Sequence, residues 1–370
     1  MRGVNWLGDA VMTTPAVVRL RERFPDAHIA MLTKEHLADI WDGHSAINEV
    51  ISISRGEGSL QLGRRLRPMG FEIGIALPNS FRTGLELRLA RIKTRVGYAG
   101  RGRWFSLSDR VPHPKEVYRM RKLPPAEVAA AIKSGKRVQP DIPTSGHHVH
   151  HYLRLVAALG ASAEPCQPVI DIAVGEVGAA LDKFGLPTGD RRPLIGINAG
   201  AEYGPAKRWP LSHFFSVIHE LHAQANCRFV VFGGPADLPL AEILMDLVRK
   251  STGKVSPSIH AVTGKTSLRE LAALLKACHA VISNDSGPAH LAAAVGSIVV
   301  IPFGSTSPEL TAPGIPDTQR HSIIKTPLPC SPCFQRECPI EYRCLREIRP
   351  EVVIKETLGH LHENDELIFS

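Results

Sequence analysis

Short apolar runs alternate with amphipathic stretches along most of this chain. In the first half, runs at 28–32, 49–53, 71–77 and 96–98 have the length and composition of strands, and 12–23, 36–41, 60–69 and 84–90 follow a helical period. The second half repeats the rhythm. Strands are predicted at 194–198, 227–232, 259–263, 280–282 and 298–303, with helices starting near 212, across 238–250, and after Ser267. Glu270 lies three residues past Ser267, which makes a capping box. Strands alternating with helices every ten to twenty residues predict an α/β protein with parallel sheets. At the chain start, 3–7 reads as a strand end and Gly8-Asp9 as a turn. The apolar first half of that strand is missing, and a start upstream of Met1 is expected.

The polar, breaker-rich stretch 187–193 reads as a domain boundary. Two domains follow, 1–173 and 190–345, with a tail at 346–370. Residues 169–172 resemble a further strand, and 106–146 an excursion that is helical around 126–133. The tail helix, 350–358, is expected to stop at Gly359 and to pack back on the first domain.

Polar loops recur just past the predicted strands, where open α/β sheets bind their ligands. Asn284-Asp285-Ser286-Gly287 precedes a helix opened by Pro288, and its amides suit an anion. Asp285 suits sugar hydroxyls instead. A small-residue loop at 199–206 leads to Lys207-Arg208. Gly233-Gly234 permits close approach of a ligand, and 304–307 supplies hydroxyls. Together these loops predict a nucleotide site for a ligand with diphosphate and polyol parts. In the first half, Asn79 and Arg82 follow a strand, and Arg101 and Arg103 sit in the densest basic region. They could hold acceptor phosphates or carboxylates, or they could form a solvated basic face.

The formal charge of +8 favours anionic partners. Neither a signal peptide nor an apolar run long enough to span a bilayer is recognised. Cysteine usage demands no oxidising compartment, so a cytoplasmic protein is expected. Cys330, Cys333, Cys338 and Cys344 could hold a structural zinc, form a disulfide pair, or stand as free buried thiols; only the first pair has knuckle spacing. His147, His148, His150 and His151 lack a carboxylate or cysteine nearby and do not read as a metal site.

The segments GVNWLGDAVMTTPA, LPNSFRTG, KRWP, NDSGPAHLAAAVG and PCSPCFQRECPIEYRC resemble the ADP-heptose:lipopolysaccharide heptosyltransferases, most of all their heptosyltransferase II branch. The resemblance spans most of the chain and is weakest at 106–146. It implies the GT-B fold, two Rossmann-like domains facing across a cleft. It also implies an inverting, metal-independent transfer of L-glycero-D-manno-heptose from ADP-heptose to a heptose of the lipopolysaccharide inner core. By the same resemblance Asp9 is the general base and Lys207 holds the donor phosphates. Asp285, Ser286, Gly287 and His290 shape the donor pocket, with Gly233 and Gly234 beside it. The implied partners are a lipid A-Kdo-heptose acceptor and the cytoplasmic face of the inner membrane, with no nucleic acid and no required cofactor.

Two alternatives remain at this level. One is heptosyltransferase I or III, or another nucleotide-sugar transferase. The other is a non-enzymatic nucleotide or nucleic-acid binding protein with a zinc knuckle.

Overall fold

The computed structural model describes residues 1–369 apart from 101, 115–117, 119, 252–257 and 316–319. It divides into two compact units, one of Met1–Tyr118 with Ser145–Asp171, the other of Arg119–Thr144 with Ile172–Ser370.

The first unit opens with α1 (Leu7–Met12) and α2 (Thr14–Arg23), then β1 (Ala30–Lys34), β2 (Glu49–Ile53), α3 (Ser59–Leu66), β3 (Ile73–Ile75), α4 (Phe81–Leu89), β4 (Thr94–Tyr98) and β5 (Asp109–Val111). The short helix α5 (Pro125–Ser134) belongs to the second unit, and α6 (His148–Ala157) returns to the first. β1 pairs with β2, and β4 pairs with β3 on one side and β5 on the other, all in parallel. The start of the chain lies between these groups. Arg2 bridges in parallel to Leu32 on one side and Ala76 on the other. Its amide bonds the Ile75 carbonyl at 2.7 Å, and the Gly3 amide bonds the Leu32 carbonyl at 2.8 Å. The strand expected at 3–7 is thus reduced to a bridge at Arg2, and α1 already begins at Leu7. Buried Arg2 pairs with the fully buried Glu86 at 2.9 Å. Close packing of α3 on α4 needs Gly63, where a Cβ would overlap the Leu89 Cβ and press on its backbone.

In the second unit the chain runs α7 (Val174–Lys183), β6 (Leu194–Asn198), α8 (Leu211–Ala225), β7 (Arg228–Val231), α9 (Leu238–Ser251), β8 (Ile259–Ala261), α10 (Leu268–Ala277), β9 (Ala280–Ser283), α11 (Gly287–Ala294) and β10 (Ile298–Phe303). It ends with α12 (Pro308–Thr311), β11 (Ser322–Lys325), α13 (Arg343–Arg346) and α14 (Pro350–Phe369). One parallel sheet orders the strands β11-β10-β9-β6-β7-β8. The order reverses between β6 and β9, the position at which a doubly wound sheet opens a crevice at its carboxyl edge. β6, β7 and β9 are buried along their whole length, because helices cover both faces. The predicted capping box of α10 forms, with the Glu270 amide on Ser267 Oγ at 3.1 Å and the Ser267 amide on Glu270 Oε2 at 2.9 Å.

Several expectations are revised. Residues 119–144 group with the second unit, not with 1–173. The cause is a small apolar core in which Leu123, Val128 and Ala131 bury against Cys330 and Cys333. Backbone bonds fix it, from the Leu123 amide to the Cys333 carbonyl at 3.0 Å and from the Val138 amide to the Pro329 carbonyl at 3.2 Å. Residues 169–172 form no strand, although Ile170 and Ile172 are buried. α14 continues through exposed Gly359. Val353, Ile354 and Leu361 enter the second unit's core beside Trp209, Phe214 and Leu221.

Candidate active site

The crevice edge of the second sheet is stitched by two asparagines. Asn198 ends β6 in register with Ser283 at the end of β9. Its amide donates to Ser283 Oγ at 2.9 Å and to Ser286 Oγ at 2.8 Å. Asn284 accepts from the Trp209 amide at 2.9 Å and donates to the Ala199 carbonyl at 2.8 Å. The loop after β9 is therefore tied to the loop after β6 by side chains that neither loop could satisfy alone. Buried polar atoms need such partners.

Lys207 and Asp285 meet at this seam. Lys207 Nζ lies 2.6 Å from Asp285 Oδ2, and the carboxylate is only 4% exposed. The Thr306 hydroxyl donates to the same oxygen. Lys207 Nζ also stands 5.0 Å from the Tyr203 ring centroid, and the Arg336 guanidinium 5.2 Å from it. The Tyr203 hydroxyl is anchored on the Phe334 carbonyl at 2.7 Å. Ser286 caps α11 with extended backbone and no side-chain cap bond, Gly287 is its first residue, and His290 is buried one turn along. Lys207, Asp285, Ser286, Gly287 and His290 are thus brought to one edge by two loops and one helix end. Gly233 has a steric reason to be glycine. A Cβ at Gly233, whose φ is +157°, would come within 2.9 Å of Asp237 Cβ and 3.0 Å of Thr263 Cγ2. The Gly234 amide donates to Asp237 Oδ2 at 3.0 Å. Asp237 and Thr263 thus pack closely around Gly233.

In the first unit Asp9 lies in the first turn of α1, not in a turn before a helix. It is half-buried, and burial, followed by the nearby Asp9 charge, holds the phenol of buried Tyr152 on α6 well above its usual range. Asn79 and Arg103 come together, with Arg103 Nη1 donating to Asn79 Oδ1 at 2.6 Å. Arg103 is 1% exposed, and its Nε and Nη2 have no hydrogen-bond partner. Burial lowers its pKa. Arg82 is engaged elsewhere, with Glu86 Oε1 at 2.8 Å and the Glu57 carbonyl at 2.9 Å. Arg101 lies outside the described residues.

The four cysteines do not form the zinc site that their spacing allowed. All are free, and among the described residues no group of three or more His, Cys, Asp or Glu is arranged to hold a metal ion. Cys330 and Cys333 are part of the apolar core that holds α5. Burial, with smaller contributions from the neighbouring thiols, pushes Cys330 up to about 11 and Cys344 up to about 12.

Residues 126–343 match the family described as glycosyltransferase family 9 (heptosyltransferase). The chain belongs to this family. It is 28% identical over 319 residues to lipopolysaccharide heptosyltransferase 2 of Salmonella typhimurium, covering 84% of each chain. It is 28% identical over 322 residues to lipooligosaccharide heptosyltransferase 2 of Haemophilus influenzae, again at 84% of each. Among solved structures, the ADP-heptose LPS heptosyltransferase II of E. coli superposes with a TM-score of 0.76 at 25% identity over 98% of both chains. The fold is the GT-B type that the resemblance implied.

In this family 9 glycosyltransferase, the sequence did not identify Asn198, Tyr203, Arg336 and Tyr152 as neighbours of the predicted groups, nor that the hydroxyl of Thr306 in the 304–307 loop would reach Asp285. Asn198 carried a signal, as the polar end of an apolar run. Tyr152 carried none, because an aromatic residue in an amphipathic helix reads as core.

Proposed function

We propose that the chain is an inverting glycosyltransferase of the heptosyltransferase II type. It moves L-glycero-D-manno-heptose from ADP-heptose to a heptose of the lipopolysaccharide inner core. The observation that carries this reading is the Lys207–Asp285 pair at the carboxyl edge of β6 and β9, in a family 9 chain related to heptosyltransferases 2. Lys207 can release Asp285 and turn to the donor diphosphate. Asp285, still held by Thr306, then accepts from ligand hydroxyls. The amides that open α11 add positive potential. The chain itself thereby supplies charge for the departing ADP.

Asp9 is the general base in this reading. It takes the proton of the acceptor hydroxyl while that oxygen bonds the anomeric carbon. The anomeric C–O bond to phosphate breaks, and its electron pair leaves with ADP. One displacement inverts the anomeric centre. Asn79 and Arg103 are the acceptor-side candidates, and Arg82 and Arg101 flank them in sequence. The acceptor is a lipid A-Kdo-heptose, reached at the cytoplasmic face of the inner membrane. Among the described residues no helix is long and apolar enough to cross a membrane.

The test is product analysis with purified ADP-heptose and defined inner-core acceptors. Transfer to an acceptor that already carries heptose supports the proposal. Transfer only to a heptose-free acceptor, preference for GDP-mannose, or salt-sensitive nucleic-acid binding without turnover would each replace it. Asp9→Ala should bind ADP-heptose normally and lose transfer by at least about a hundredfold.

A further inference from the structure

Three aromatic rings meet on the surface of the first unit. Trp104 is 70% exposed and Phe81 is 46% exposed. Phe105 links them, its ring centroid 5.7 Å from that of Trp104 and 5.5 Å from that of Phe81. Phe81 opens α4, and the other two lie on the loop between β4 and β5. Apolar side chains scattered singly over a surface need no explanation, but a contiguous exposed cluster marks a place of contact.

The surroundings of the cluster are cationic. Residues 81–110 hold eight Lys or Arg against two Asp or Glu, which is +6 of the chain's formal +8. One of the two acids, Glu86, is fully buried and already paired with Arg2 and Arg82. Arg88 and Arg95 stand at the rings themselves. Arg88 donates to the Phe105 carbonyl, with its guanidinium 5.6 Å from the Phe105 centroid. Arg95 Nε donates to the Ser106 carbonyl at 2.8 Å, and its Nη1 to the Lys93 carbonyl at 2.8 Å. Neutral carbonyls thus orient both guanidiniums and leave their charge for a partner.

Aromatic rings beside arginines suit the headgroup layer of a bilayer, where rings reach the acyl boundary and guanidiniums meet phosphates. Single-stranded nucleic acid would want flat platforms for its bases. Here the ring planes meet at 74° and 54°, which makes a wedge. The cluster also adjoins the Asn79–Arg103 pair. Trp104 follows Arg103 directly, and Phe81 lies two residues past Asn79.

We propose that Phe81, Trp104 and Phe105, with Arg88 and Arg95, form the face by which the first unit docks on a bilayer carrying anionic phospholipid headgroups. The rings enter the headgroup layer, and the two guanidiniums hold its phosphates. This deepens the proposed transfer to a lipid-borne acceptor, and it rests on that reading for its purpose but not for its test.

The test is co-sedimentation of the full chain with vesicles of phosphatidylcholine alone, or mixed with phosphatidylglycerol, at low and high salt. Binding is expected with the mixed vesicles and should fall as salt screens the guanidiniums. Arg88→Gln should weaken it about fivefold, the worth of one arginine near an anionic surface. Trp104→Ser should weaken it roughly tenfold, from the apolar area no longer withdrawn from water. Brominated phospholipid should quench tryptophan emission in the parent and much less in Trp104→Ser. Parental binding by either variant overturns the proposal, as does quenching that survives in Trp104→Ser. So does a chain that ignores both kinds of vesicle, takes up an RNA oligonucleotide in their place, or self-associates through Trp104 without binding lipid. The vesicles carry neither ADP-heptose nor acceptor. A failure here therefore leaves the transferase reading standing, and a chain that docks but transfers nothing overturns that reading alone.

Discussion

Asp285 Oδ2 receives Lys207 Nζ at 2.6 Å in a place where the carboxylate is almost shut off from water. Their cohesion is a property of the free protein. The pair therefore stabilises the resting fold, and each member is also a group that the donor needs.

That dual use separates stability from binding. Lys207→Ala should destabilise the second unit by about 1–3 kcal/mol, because it leaves a buried carboxylate that still accepts from Thr306 but has lost its cation. Adding Asp285→Asn removes the stranded charge and should restore most of that stability. ADP affinity should stay low in both variants. Urea unfolding and calorimetric titration with ADP read the two effects. Recovery of ADP binding in the double variant would show that Lys207 serves the fold alone.

Half-buried imidazoles give the protein an acid sensitivity. Burial, reinforced by neighbouring positive groups, lowers His148 and His321 to about 4 each. The Val299 amide donates to His321 Nδ1 at 3.3 Å, which fixes that nitrogen as an acceptor. In the unfolded chain both rings titrate near 6.5, so between about 6.5 and 4 the unfolded state binds more protons. Stability should be complete above roughly pH 6.5 and fall as the pH drops towards 4, by on the order of 1–3 kcal/mol for each ring. Denaturant midpoints from pH 7.5 to 4.5 measure this. His321→Asn should flatten the slope, and an unchanged slope in that variant would remove His321 from the account.

The thiols should be unreactive in the native protein. Cys227 and Cys330 are pushed up to about 11 and Cys344 to about 12, chiefly by burial. The thiolate is the reactive form. At pH 7.5 a disulfide reagent should label these three slowly in native protein and all seven cysteines of the chain rapidly after unfolding. Mass spectrometry of the labelled peptides locates the sites. Rapid native labelling of Cys330 or Cys344 would contradict the buried environment described above.

Much of this protein could be read from its order of residues, and the reason is local. The runs at 194–198 and 280–282 are mostly apolar and hold β-branched Ile195, Ile197, Val281 and Ile282, so β6 and β9 follow from composition. Ser267 and Glu270 satisfy each other within one helical turn, so the start of α10 follows from spacing. The motif residues Asp9, Lys207 and Asp285 were likewise legible, because their loops follow predicted strands or precede predicted helices. β5 and β11 were not: three or four residues at a sheet edge hold too little pattern to stand out. What only the tertiary structure decided were pairings across long stretches of chain. They include Tyr152 beside Asp9, Thr306 on Asp285, Asp237 packed against Gly233, and Leu123 under Cys333. Local periodicity specifies which face of an element is apolar. It carries nothing about which distant side chain fills a neighbour's hydrogen-bond valence, because that is set by packing once the sheets exist.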